Sequence, residues 1–202
     1  MGSFFSDTPA SLILIVLTTG ISLLAFSNGG LWRFLALEPY RMIRDREFHA
    51  IVTSSFVHGS FGHLLLNMLT LFFFGPTLEK VVGGAQFLAI YGASLVVSGI
   101  VSTILFRNRP EYISIGASDA VSGVLFSYCL FMPLNQIGFL LLPIRIPAFL
   151  FAILYVGYSI YAMKRMNDRI AHEAHLAGAL GGIIMTIILY PSVIQHFIEE
   201  LF

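Results

Sequence analysis

Between Gly116 and Pro133 the chain carries an apolar run, Ala120 to Met132, that is only 13 residues long. A helix that crosses the hydrocarbon core of a bilayer needs about 20 apolar residues. A helix opened at Ser118 and stopped at Pro133 therefore reaches one membrane face and falls short of the other. Ser118 must lie below that second face, reached by the non-helical segment Arg109 to Ala117. Non-helical backbone at membrane depth is tolerated only where protein or a water-filled cavity surrounds it. The run thus predicts a serine at a helix N-terminus, sunk in a cavity that other helices wall.

The rest of the chain suits that setting. Of 202 residues, 57% are hydrophobic and 11% charged, against about a quarter charged in soluble domains. The formal net charge is zero, which offers no basic surface for nucleic acid. Cys129 is the single cysteine and sits inside an apolar run, so neither a disulfide framework nor a cysteine metal site is expected. These features predict an all-α, multi-pass membrane protein with one domain over residues 1–202. Six crossing helices are expected: Ala10–Phe26, Phe61–Leu78, Phe87–Phe106, Ser118–Met132, Pro147–Met163 and Ile170–Tyr190. Glu79-Lys80 with Gly83-Gly84 reads as a tight turn, Pro133 to Pro143 as a connection, and Lys164 to Arg169 as a charged turn. The connection Ser27–Ser60 is long for a compact bundle. Its arginines, Trp32, Tyr40 and apolar patches predict a substructure lying partly in the headgroup region. No internal repeat is visible, which disfavours a transporter of duplicated halves.

Polar side chains within membrane helices are costly and tend to be functional. They fall here into three groups. His63 and Asn67 share one face of helix two, Ser118 opens helix four, and His172 and His175 share one face at the start of helix six. Alternate helices start on the same side of a membrane, so all three groups can converge at one depth. Together they supply the parts of a serine hydrolase. Ser118 is the candidate nucleophile and a histidine its base. His63, Asn67 and a backbone N–H at Ser118 are candidates to bind the oxyanion. Gly178 and Gly182 lie on the His175 side of helix six, which favours His175 over His172 as the base. The bland alternatives are interhelical hydrogen bonding for His63 and Asn67, and an ordinary N-cap for Ser118. His58 reads as a loop or supporting residue. His172-Glu173-Ala174-His175 has histidines three apart, where a zinc-protease helix needs four, so no metal is expected.

Several stretches together resemble the rhomboid intramembrane serine proteases. They are His58-Gly-Ser-Phe-Gly-His63-Leu-Leu-Leu-Asn67-Met68, Gly75-Pro76 with Glu79, Gly116-Ala117-Ser118 and Ala174-His175-Leu176-Ala177-Gly178. The resemblance implies a six-helix bundle with a short fourth helix and a membrane-embedded first loop. It implies a Ser118–His175 dyad, His63 and Asn67 in the oxyanion hole, and no cofactor. Its implied partners are transmembrane protein substrates and the lipid bilayer, and its implied location is a bacterial-type inner membrane. Two features depart from the family. Asp119 replaces the usual Gly after the serine, which favours, as the alternative, an inactive rhomboid-like protein that binds membrane clients. The family also keeps its active-site face outside the cytoplasm, yet nine of the 11 Lys and Arg residues fall on that face. The positive-inside rule favours the reverse orientation. One residue is about 100° of helix, so Asp119 is expected to point away from the Ser118–His175 axis, in a structural role beside His172.

Overall fold

The computed structural model describes residues 7–139, 142–165 and 172–202; the polar start through residue 6 and most of the stretch expected as a charged turn, Lys164 to Arg169, lie outside them. Helix α1 (Pro9–Phe26) begins with proline in its first turn, where the missing N–H costs nothing. Its free N–H groups are met from a distance. Glu79, buried at 2% exposure, accepts Ala10 N–H at 2.9 Å and Ser11 N–H at 2.8 Å. Glu79 is therefore helical, inside α5 (Phe61–Val82), and not part of the expected turn. The turn is Gly83 alone, whose φ of +83° suits glycine; α6 (Gly84–Phe106) follows at once.

The long first connection folds as α2 (Gly29–Leu35), α3 (Pro39–Asp45), α4 (Ala50–Thr53) and a 3-10 turn at Ser54–Phe56. α3 and α4 pack against α6. The arginines are used internally: Glu38 pairs with Arg33 and Arg41, both at 3.3 Å, and Arg41 also reaches Glu47 at 3.0 Å. Leu37 and Ser114 exchange backbone hydrogen bonds, which ties this connection to the segment leading into the serine helix.

Helix α7 (Ser118–Phe131) holds 14 residues, about 21 Å of helix. Every residue from Ala120 to Cys129 is buried, as expected of a helix that is apolar all round. Helices α6 and α9 (His172–Leu189) are its main neighbours. Small residues let them close in. A Cβ on Gly182 would come within 2.5 Å of the Gly123 Cα, and one on Gly181 within 3.0 Å of the Ala93 carbonyl. Thr186 then donates to Ser127 at 2.8 Å across the α7–α9 crossing.

The stretch after α7 corrects the all-α expectation. It forms an antiparallel hairpin of β1 (Gln136–Phe139) and β2 (Leu142–Pro147), irregular at Gly138 and Phe139. Pro147 closes β2, so α8 (Ala148–Arg165) starts one residue later than expected. A final helix, α10 (Val193–Leu201), follows Pro191 and was not expected; its His196 hydrogen-bonds the Phe131 carbonyl at 2.9 Å, at the far end of α7. Among the described residues four helices, α1, α5, α6 and α9, are long and apolar enough to cross a membrane, while α7 and the apolar part of α8 are shorter. Their outer faces expose Leu17, Phe73, Ile104 and Ile188, a surface suited to lipid and not to water.

Candidate active site

His63 and Asn67 lie in the first two turns of α5. Ser60 caps that helix by accepting the His63 N–H at 3.2 Å, fixing where the helix begins and which way His63 leaves it. Asn67 is buried and donates one amide proton to the His63 carbonyl at 2.9 Å, leaving its other N–H free of that bond.

Ser118 opens α7 after a glycine with φ of +109°. Gly116 is needed twice over. Its backbone is in the region that favours glycine, and a Cβ there would come within 2.5 Å of the His63 ring. The missing side chain is the space in which His63 lies against the loop that leads into Ser118. The start of α5 and the start of α7 are thus brought together, as the alternation of helices predicts.

His58 supports this loop from behind. It is fully buried and accepts the Ala117 N–H on Nε2 at 3.2 Å, while Nδ1 meets Ser22 Oγ at 2.8 Å. Ser22 spends its own proton on the Phe56 carbonyl at 2.8 Å, so His58 Nδ1 is the donor and Nε2 the acceptor. Only the neutral imidazole satisfies both bonds. Burial, with the neighbouring His63 second, lowers its pKa to about 3, which agrees. Gly116 N–H donates to the Ser54 carbonyl at 2.9 Å, so both residues before Ser118 are held by the first connection.

His175 and His172 occupy the first turn of α9. His172 is buried, with its ring edge-on to Tyr158 of α8 at 5.7 Å between centroids. His175 is partly open. Gly178, one turn on, packs directly on the backbone of Asp119, where a Cβ would collide with the carbonyl. This close crossing brings α9 to the start of α7, as the glycine face of that helix predicts.

One expectation fails. Asp119 does not point away from His175. Its Oδ1 stands 3.8 Å from His175 Nε2, and Ser98 of α6 donates to Oδ2 at 2.6 Å. The 100° step locates Asp119 beside Ser118 correctly, but α9 crosses so near the helix end that its histidine faces the carboxylate. Among the described residues no hydrogen bond joins Ser118 directly to His175. No group of three or more His, Cys, Asp or Glu side chains among the described residues is placed to hold a metal ion. Sequence reasoning missed Ser98, although Ser94, Ser98 and Ser102 recur every four residues, a polar stripe on an otherwise apolar helix.

A model of the Rhomboid domain matches residues 45–192. Among individual proteins, the chain is 32% identical over 159 residues to YdcA of Bacillus subtilis (strain 168), described as a candidate rhomboid protease; the match covers 77% of this chain and 74% of that one. It is 27% identical over 191 residues to Rhomboid protein 1, mitochondrial, of Saccharomyces cerevisiae, covering 90% of this chain and 54% of the relative. It is 33% identical over 145 residues to Presenilin-associated rhomboid-like protein A, mitochondrial, of Danio rerio, covering 66% of this chain and 35% of the relative. The matched stretch thus spans about half or less of these two mitochondrial relatives.

Proposed function

The chain belongs to the rhomboid family, and from that premise we propose that it is an intramembrane serine protease cleaving transmembrane protein substrates with a Ser118–His175 dyad. The observation that carries this reading is the shared position of the three polar groups: His63 lies against Gly116, and His175 faces the residue next to Ser118.

In the reaction, His175 takes the proton of Ser118 Oγ as that oxygen attacks the carbonyl carbon of a substrate peptide bond. The oxyanion forms against the backbone N–H at Ser118, the free amide N–H of Asn67 and the ring of His63. Donors already fixed in place cost no reorganisation as charge develops. His63 is set by Gly116 and by the cap at Ser60, and Asn67 by its bond to the His63 carbonyl. His175 then gives the proton to the leaving amine, and water repeats the sequence on the acyl-enzyme with the roles reversed. The six crossings are α1, α5, α6, α7, α8 and α9, with α2 to α4 as the embedded first loop. Residues 1–202 act as one membrane domain.

The protein is a multi-pass integral membrane protein, and the location that goes with this reading is a bacterial-type cell (inner) membrane, in keeping with its 32% identity to the Bacillus relative. A second reading, an inactive protein that binds membrane clients, is favoured by Asp119 standing beside the base. Labelling with a fluorophosphonate probe separates the two. The protease reading expects the wild type to label and Ser118→Ala not to; a wild type that neither labels nor cleaves a transmembrane substrate establishes the binder.

A further inference from the structure

We infer that Asp119, held by Ser98, is a positioning residue for His175, pairing its carboxylate with the imidazolium that forms when His175 takes the Ser118 proton. This rests on the reading of Ser118 and His175 as nucleophile and base.

The geometry comes from three helices. Gly178 seats α9 on the backbone of Asp119. His175 is three residues earlier, hence on the same face and one turn nearer the start of α9. That places its ring beside the Asp119 side chain, with Oδ1 at 3.8 Å from Nε2. Ser98 fixes the other oxygen from α6 at 2.6 Å. The serine's single proton is given to the carboxylate, so Oδ2 acts as an acceptor. At 3.8 Å the neutral imidazole is not hydrogen-bonded to Asp119, but a charged one forms an ion pair there. The interaction is therefore stronger after proton transfer than before, the condition for lowering a barrier and not merely tightening the resting state. The balance is simple. Ser118 Oγ–H breaks, an N–H forms on His175, and the positive charge stands beside Asp119 until the proton passes to the leaving amine.

Other titratable groups surround the pair. They are His63 from α5, Tyr91 from α6, Tyr155 and Tyr158 from α8, His172 and Glu173 on α9 itself, and Tyr112 ahead of α7. His196 of α10 lies at the opposite end of α7. A comparison of wild type with Asp119→Asn leaves all of these in place.

The test is the pH profile of kcat/KM for a reconstituted transmembrane substrate, with melting temperature in detergent measured alongside. An opposite charge within a few ångströms raises a histidine pKa by roughly 1 unit or more. Asp119→Asn should thus move the acid limb down by about one pH unit and lower kcat about tenfold. Ser98→Ala should shift the limb the same way by less, and the double variant should match Asp119→Asn. An acid limb left in place by Asp119→Asn, even with lower kcat or melting temperature, overturns the inference and makes Asp119 structural. A gain in rate on removing the carboxylate overturns it too. If Ser118→Ala cleaves like wild type, the nucleophile assignment fails instead, whatever Asp119 does.

Discussion

Gly178 lies so close to Asp119 that no side chain fits between α9 and the first turn of α7. The residue that departs from the family pattern is therefore accommodated by a partner that lacks a Cβ. Asp119 keeps the tight crossing through its backbone and sends its carboxylate sideways to Ser98 and His175.

Gly178→Ala should accordingly lower the melting temperature and the rate together. Overpacking a close contact typically costs 1–3 kcal/mol, and here the strain falls on the turn that holds Ser118. Gly157→Ala is the control, since its Cβ would meet nothing within 4 Å; it should be neutral or stabilising by up to about 1 kcal/mol. Equal behaviour of the two variants in thermal melts would show that the crossing is looser than described.

Ser118→Ala and His175→Ala should each abolish cleavage of a transmembrane substrate with little change in melting temperature. Members of a nucleophile–base pair act as a unit, so removing either costs nearly as much as removing both. Turnover of the double variant is the decisive measurement. If it falls far below both singles, the two residues act independently and the dyad is wrong.

Asn67→Ala should reduce kcat by roughly 10- to 1000-fold, the usual cost of one oxyanion donor, and His63→Ala should act in the same direction. KM should change little, because the oxyanion is absent from the bound substrate. Preserved kcat with reduced stability would assign Asn67 and His63 to helix–helix hydrogen bonding.

His58 makes stability depend on acid. Its folded pKa is about 3 against 6.5 for the free side chain, through burial and then His63. Above pH 6.5 both states are neutral there and nothing is gained or lost. Below it the unfolded chain takes up the proton and the folded one does not, so stability falls by about 1.4 kcal/mol per pH unit from this group. Thermal melts in detergent between pH 7 and pH 5 should show that decline, and His58→Ala should be less stable but flatter with pH. A wild-type curve as flat as the variant's would mean that Ala117 and Ser22 do not hold the ring neutral.

The hairpin and α10 show two kinds of illegibility. β2 carries Pro143 and Pro147 in six residues, and proline argues against a strand except at strand ends and bulges; here Pro147 ends the strand opposite Gln136 and Pro143 falls in the irregular stretch between the Gly138–Arg145 and Phe139–Leu142 pairs. α10 was legible and missed, for Val193, Ile194 and Ile198 follow the helical period. Glu79 was invisible for another reason. Its partners, the N–H groups of Ala10 and Ser11, are 69 and 68 residues away, and no local pattern marks that distance.

The sequence by itself determined the membrane class, the main helices, the short length of α7 and the side chains gathered at one end of the bundle. Those follow from apolar length and helical period, which are local properties of the chain. Only the tertiary structure decided where Asp119 points, that Ser98 holds it, and that His58 carries the loop before Ser118. These depend on how closely α6, α7 and α9 approach. That approach is set by the absent side chains of Gly123, Gly178 and Gly182 acting together across three helices. A periodicity gives the face a residue occupies, but the neighbour that meets that face is fixed only when the helices pack.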